Sequence, residues 1–480
     1  MEYDYSPIKR EESGNSEDFN WKYMVKQTLI CISTWSLFFV TGLFFGTPTV
    51  MIPQLRAEAN STDAVSEEMA SWLSSAYGYS ALPWDILLPV LSEIYGRKIP
   101  LIISNVASVI GYVIWYFSTN VIFILIAEII LGVLIAVNLT QSMIIITEYS
   151  SPKYRGIFLT IKSATFYWGF FVANVIGTFS HWRNILIVAL ICLAYNFTSY
   201  FWPHSPHWLA SQGRFEECAT AHRLLKGTSA ESEKELEEII MSQKKYMRNC
   251  STHTSRQYCG RIKTSIKALW YKSVYKPIFL SLTLLTMYIL SGKLVCNVYA
   301  LQILKKITKD TTAAYRGMLI LDGVSIIGMY IGCYLSKLLK RRVMLFTLAS
   351  ISAFFLFTLS LYLYLIKLNS ITDNSTLCIV LLTIFSISIS CGPMILTTSI
   401  FAEIIPLRCK ALALIIIVFS NNILTSTVLK LSPFLFKTAG LHGAFLFYGL
   451  SVVVCLLILY KYLPETKDKT LTEIEAYFEK

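Results

Sequence analysis

The chain has 480 residues, 54% of them hydrophobic and only 15% charged, against about 25% charged in an ordinary soluble protein. Its mean hydropathy is +0.54 and its net charge is +12. This balance excludes a soluble globular enzyme, because the apolar excess falls in blocks of about 20 residues, the length a helix needs to cross a bilayer.

Residues 1–27 open the chain with MEYDYSPIKREESGNSEDFNWKYMVKQ, polar and mixed in charge, which reads as a short cytosolic tail without a signal peptide. Twelve apolar blocks follow. Six lie at about 28–52, 71–92, 99–118, 121–147, 157–179 and 183–202, forming an amino-terminal half over 28–202. A polar stretch, 203–276, contains GRFEECATAHRLLKGTSAESEKELEEII, whose period and charged faces predict short helices in a cytosolic linker. Six more blocks lie at about 277–300, 317–338, 343–366, 377–402, 411–432 and 443–463, a carboxyl-terminal half over 277–463, and 464–480 is a second cytosolic tail. The expected fold is therefore an all-α membrane protein of twelve transmembrane helices in two six-helix halves.

Lys and Arg set the orientation. They concentrate in the tails and in the loops that share their side, so the positive-inside rule puts both termini in the cytosol. The net charge is then topology and contact with anionic lipid rather than nucleic-acid binding. The NST sequons at Asn60 and Asn374 fall in loops predicted to be outside, where they would be glycosylated. The 11 cysteines show no metal or disulfide spacing and read as small buried hydrophobes.

The two halves echo each other. SEIYGRK (92–98) closes the second block and SKLLKRR (336–342) the eighth. EYSSPKYRG (148–156) closes the fourth and EIIPLRCKA (403–411) the tenth, so that an acid precedes a base by seven residues twice: Glu148 to Arg155, Glu403 to Lys410. PHSPHWL follows the sixth block and LPETKDKTLTEIEAYF the twelfth. A parallel repeat of two six-helix units is the architecture of a rocking transporter, with its solute between the halves near the midplane.

Together with FVTGLFFGTPTVMIPQL in the first block, these motifs resemble the sugar porters of the major facilitator superfamily, most of all the insect facilitated trehalose and sugar transporters. The resemblance covers nearly the whole chain from about residue 28. It implies facilitative transport of trehalose or a hexose by alternating access, in a monomeric plasma-membrane carrier that needs no cofactor or metal. It also implies charge networks at the cytosolic helix ends: Glu93, Arg97 and Lys98 with Glu148 and Arg155 in one half, Arg341 and Arg342 with Glu403 and Lys410 in the other. Such pairs tie each half together and latch the halves when the site faces outward; a topological role alone is the blander alternative. Three departures point to an altered carboxyl-half latch and linker: Lys337 and Lys340 replace an acid and a glycine, Lys410 an arginine, and PHSPH brings His204 and His207.

A sugar site needs amides and hydroxyls for its many hydroxyl groups and aromatic faces for its apolar side. Aligned on Ser291-Gly292, the family's glutamine pair on the seventh block becomes Tyr288 and Ile289, and its asparagine becomes Leu294. Its tryptophan on the tenth becomes Thr398, while the eleventh keeps Asn421 and has Asn422 in place of a tryptophan. Ser163 and Tyr167 of the fifth block, with Ser291, Asn297 and Tyr299, complete the candidate lining. Much of the usual sugar-reading set is missing, which keeps open a carrier of another small solute, neutral or charged. A non-transporting nutrient sensor is a third reading, disfavoured by the short carboxyl tail. No nucleotide loop, metal cluster or nucleophile constellation marks an enzyme.

Four intramembrane charges stand out, each costly in a bilayer at roughly 2.5–3.5 kcal/mol on insertion scales. Lys293 shares a helix face with positions 289 and 297 and lies roughly 10 Å deep by the helical rise. Glu128, at similar depth in the fourth block, replaces the family's arginine. The two could pair across the cavity as an outer gate or solute reader; alternatively Lys293 snorkels to the surface and Glu128 is satisfied locally. Asp85 and Lys162, both in the cytosolic halves of their blocks, are a second possible pair. The first block carries no acid, where proton-coupled sugar porters have one, which argues for facilitated diffusion.

Overall fold

The structure, a computed structural model, describes residues 21–59, 65–250, 271–405, 410–467 and 477–478. Every regular element among them is helical. The amino-terminal half comprises α1 (Trp21–Glu58), a short α2 (Glu67–Leu73), α3 (Ala76–Tyr95), α4 (Lys98–Phe117), α5 (Val121–Tyr149), α6 (Pro152–Phe179) and α7 (Arg183–Asn196), which tightens into a 3₁₀ turn over Phe197–Phe201. Three short helices follow, α8 (Pro206–Ser211), α9 (Phe215–Lys226) and α10 (Ala230–Cys250). The carboxyl-terminal half comprises α11 (Lys272–Leu290), α12 (Lys293–Val298), α13 (Ala300–Thr308), α14 (Thr311–Leu338), α15 (Arg341–Lys367), α16 (Ser375–Cys391), α17 (Pro393–Ile404), α18 (Lys410–Thr438) and α19 (Gly440–Tyr462).

Twelve crossings result. Eleven are long and apolar enough to span a membrane by length and composition. The second, α3, is not among those eleven, and it carries Asp85, Glu93, Pro83 and Pro89 within 20 residues. The seventh and tenth crossings are broken rather than continuous. Gly292 takes φ +77, and a Cβ there would sit 2.5 Å from the Tyr448 ring, so only glycine fits on either count. Gly392 precedes Pro393, which opens α17 at its first turn.

Within the amino-terminal half α1 and α6 interlock through reciprocal glycines: a Cβ on Gly42 would meet the Phe166 carbonyl oxygen at 2.0 Å, and one on Gly169 the Phe39 carbonyl oxygen at 2.0 Å. Close backbone approach of this kind is how helices gain van der Waals contact where lipid offers no hydrophobic drive. Two seams join the halves, α3 against α18 and α6 against α14. The linker helices dock on one end of the amino-terminal half. Trp208 Nε1 donates to the Glu93 carbonyl at 3.0 Å, and Gln27 Nε2 donates to the Leu225 carbonyl at 3.1 Å. This end is called the linker side below, and its opposite the far side.

Candidate functional site

The centre of the molecule is a contact between halves. Tyr167 on α6 and Tyr288 on α11 meet hydroxyl to hydroxyl at 3.0 Å. Tyr288 sits in the last turn of α11, whose end is set by Ser291: its hydroxyl donates to the Tyr288 carbonyl at 2.6 Å, just before the left-handed Gly292. The break turns the crossing at the depth of the tyrosine pair. Beyond it, Tyr299 donates to the Leu429 carbonyl of α18 at 3.0 Å, and Asn297 is buried on α12. Thr49 Oγ1 of α1 donates to the Val298 carbonyl at 2.8 Å, a further link between halves on the far side.

Other expected lining residues are dispersed. Asn421 is half-buried and donates weakly to its neighbour Asn422 at 3.4 Å. Asn422 faces the other half: its Nδ2 donates to Asp85 Oδ2 at 2.7 Å. Ser163 is exposed and bonds only back to the Leu159 carbonyl of its own helix, at 3.2 Å. The side chains of Thr398 and Lys410, and all of Asn60, lie outside the described residues. Asn374 is exposed on the far side, where its side chain caps α16 by accepting from the Leu377 N–H at 3.3 Å.

The intramembrane charges are not arranged as the sequence led one to expect. Lys293 neither meets Glu128 nor snorkels, being 1% exposed. Its Nζ donates to Ser325 Oγ on α14 at 2.6 Å and to Ser386 Oγ on α16, so it bolts three crossings of one half together. Glu128 is fully buried with neither carboxyl oxygen hydrogen-bonded. Asp85 and Lys162 do not pair either: Asp85 takes its bond from Asn422, and Lys162 Nζ lies over the Phe38 ring, 4.1 Å from its centre. Sequence reasoning missed Asp322, an acid in the middle of the eighth crossing within LILDGVS. Tallying intramembrane acids as carefully as bases would have found it. Asp322 Oδ2 accepts from Asn174 Nδ2 of α6 at 2.6 Å, buried, across the second seam.

Charge networks close the linker-side ends of both halves, and they match. Arg97 forks onto Glu148 at 2.9 and 2.6 Å, and Ser205 donates to the same carboxylate at 2.5 Å. In the other half Arg341 meets Glu403 at 2.7 Å, while Glu465 accepts the backbone N–H groups of Arg341 and Arg342, both at 3.1 Å, capping α15 with charge of the favourable sign. The carboxyl half thus carries an ion pair beside the substitutions at Lys337 and Lys340. Arg342 donates to the Tyr460 carbonyl at 2.6 Å, and Lys98 to the Trp202 carbonyl at 2.7 Å. The Glu93 side chain is exposed, and its carbonyl does the bonding. Arg155 reaches Glu235 of α10 at 3.9 Å. Glu235 also meets Lys226 at 2.9 Å and His222 at 3.6 Å. Burial pushes the Glu235 carboxyl up, but His222 and Lys226 overcome it and hold it down at about 2. Among the described residues no ion pair joins the two halves.

Two six-helix halves, joined along paired seams and touching at a central tyrosine pair, define a carrier of the major facilitator fold. The chain belongs to the family described as "Sugar (and other) transporter", whose model matches residues 25–478. It is 25% identical to the facilitated trehalose transporter Tret1 of Apis mellifera ligustica, over 88% of this chain and 82% of that one. It is 24% identical to the facilitated trehalose transporter Tret1 of Bombyx mori, over 99% and 90%. Among solved structures, the proton:xylose symporter XylE bound to 6-bromo-6-deoxy-D-glucose superposes with a TM-score of 0.73 at 18% identity, covering 96% of this chain and 100% of that one. The inward-open form of XylE from E. coli gives 0.72 at 18%, covering 95% and 99%.

Proposed function

We propose that this protein carries a neutral sugar of the trehalose or hexose class down its gradient by alternating access, with no chemical step. The observation that carries the reading is the Tyr167–Tyr288 contact, two hydroxyl-bearing aromatic rings offered from opposite halves at mid-depth. Such groups suit a solute with many hydroxyls and an apolar ring face. The buried charges weigh against a charged solute. The Lys293 ammonium is engaged by hydroxyls of its own half, and Asp85 and Asp322 accept bonds at the seams. Facilitated diffusion is supported by the names of the insect relatives and by α1, whose acidic residue, Glu58, is its last.

The protein works at the plasma membrane as a monomer, with both termini and the 203–276 linker in the cytosol and Asn60 and Asn374 outside. Hydrogen bonds between halves gather in the middle and on the far side, whereas the linker-side ion pairs each stay within a half or bind it to the linker. This arrangement suits a carrier open toward the cytosol. Uptake of labelled trehalose and glucose, with and without a pH gradient, tests the proposal. Saturable uptake indifferent to the gradient is expected. No uptake of either sugar by protein present at the cell surface would overturn it.

A further inference from the structure

The two seams carry the same polar contact with its roles exchanged. On one, the acid Asp85 belongs to the amino-terminal half and the amide Asn422 to the other. On the second, the amide Asn174 belongs to the amino-terminal half and the acid Asp322 to the other. The internal repeat explains the exchange. The second and eighth crossings each bring an aspartate, the fifth and eleventh each an asparagine, at offsets of about half the chain. All four side chains are at most 2% exposed. In each aspartate the second oxygen, Oδ1, has no hydrogen-bond partner.

Rocking must separate these contacts, and a bare carboxylate inside a bilayer is expensive. The two aspartates differ in what stands ready to replace the amide. Beside Asp85 the described residues offer no cation in contact, only the Asn422 amide. Asp322 has a cation close by within its own half, Lys293, not yet paired with it. Ser325 lies three residues along α14, on the same helix face, and its hydroxyl holds the Lys293 ammonium at 2.6 Å. An ammonium has three donors, and Ser325 and Ser386 take two of them. Lys293 and Asp322 act on each other's charge without ion-pair contact.

We infer that Asp322 is a partner-exchanging gate: it holds Asn174 while the far side is closed, and turns to Lys293 when the α6–α14 seam parts. This rests on the alternating-access reading. Lys293 is then a positioning residue that keeps the opened seam from exposing an uncompensated charge, not a group that touches the solute. The exchange gives the open state an ionic contact to offset the hydrogen bond it loses.

The test is a far-side distance, read with spin labels on unnatural amino acids at Phe179 and Thr311. These are exposed residues at the far ends of α6 and α14. Asn174→Ala removes the closed-state contact and should lower the closed-to-open ratio by roughly fivefold to tenfold. Lys293→Met removes the open-state partner and should raise it by a similar factor. Lys293→Gln, which keeps donors for the two serines without the charge, should act as Lys293→Met does and covers the case in which that variant fails to fold. Asp322→Asn combined with Lys293→Met should return the ratio toward that of the unaltered protein. Lysine variants that leave the distribution unchanged, or move it the same way as Asn174→Ala, would overturn the gate. A failure of sugar uptake with opposite distance shifts intact would overturn the solute reading and leave the gate standing.

Discussion

Tyr167 and Tyr288 share a hydroxyl contact of 3.0 Å although 121 residues separate them in the chain. A solute entering between the halves must take over one or both hydroxyls. Tyr288→Phe and Tyr167→Phe keep the ring face and lose one hydrogen-bonding group each. A net hydrogen bond is worth about 0.5–1.5 kcal/mol, so the concentration for half-maximal sugar uptake should rise roughly twofold to tenfold at unchanged surface expression. Tyr288→Ala, which also loses the aromatic face, should cost more. An unchanged uptake curve for both phenylalanine variants would remove the pair from the solute path.

The α3–α18 seam offers a steric test. A Cβ on Gly78 would fall 2.0 Å from Ser426 Oγ and 2.9 Å from the Asn422 carbonyl oxygen. The hydroxyl can be removed, but the carbonyl is backbone and must move. Gly78→Ala should therefore force the seam apart on the far side and reduce transport sharply without abolishing folding. Ser426→Gly in the same chain should restore part of the rate. Equal uptake by Gly78→Ala and the unaltered protein would mean that the seam does not close as described.

The crossings were legible because they are long apolar blocks, and the repeat because its motifs sit at the polar ends of helices. The expected 277–300 became α11 and α12 with Gly292 between them: hydropathy does not register a left-handed glycine. The networks around Arg97–Glu148 and Arg341–Glu403 were readable from paired motifs. The destinations of buried charges were not. Spacing at 289 and 297 points Lys293 toward the cavity, yet its flexible four-carbon stem lets it turn to serines 32 and 93 residues away. Those serines carry no signal of their own, since Ser is common in membrane helices for packing alone. Which half faces which acid is a tertiary fact, invisible without helix adjacency.

Arg97 and Arg341 occupy equivalent ends of the two halves with unequal geometry. Arg97 is bidentate to Glu148 and also donates to the Ser92 carbonyl at 2.9 Å, whereas Arg341 has one described side-chain contact, 2.7 Å to Glu403. Lysine cannot reproduce a fork. Arg97→Lys should lower the thermal midpoint in detergent by more than Arg341→Lys, with about 1–3 kcal/mol at stake for a partly buried charged bond. The reverse order would show that the Glu465 cap, not the fork, dominates end stability.

Acid should loosen the linker from the amino-terminal half. Glu235 is held down at about 2 despite burial, through His222 and Lys226, against about 4.3 in an unfolded chain. A carboxyl with a depressed folded value stabilises fully above the unfolded value, and the contribution fades as pH falls from about 4.3 toward 2. The loss should be on the order of 2 kcal/mol for a half-buried group. Protection of the 206–250 amides, taken relative to the intrinsic exchange rate at each pH, should fall over that window, and Glu235→Gln should already show low protection at pH 7. Protection that is flat with pH in the unaltered protein would contradict the role of Glu235.

Glu128 supplies the sharpest contrast with what its sequence position implies. It stands where sugar porters carry an arginine, at the depth of Lys293, and invites a charge pair across the cavity. In the structure neither of its oxygens has a partner, and Lys293 is turned into its own half, among serines. A buried carboxyl that no donor or cation requires can be replaced by an amide of the same shape at little cost. Glu128→Gln should retain transport and lose less than about 1 kcal/mol of stability. Glu128→Lys should fail, because a further buried cation would have no acid in contact. Combining it with Lys293→Glu should do no better than the worse single variant, since the two positions never meet. Restored transport in that double variant would mean that the pair forms in a state the far-side-closed structure does not display, and Lys293 would then have two acidic partners in the cycle rather than Asp322 alone.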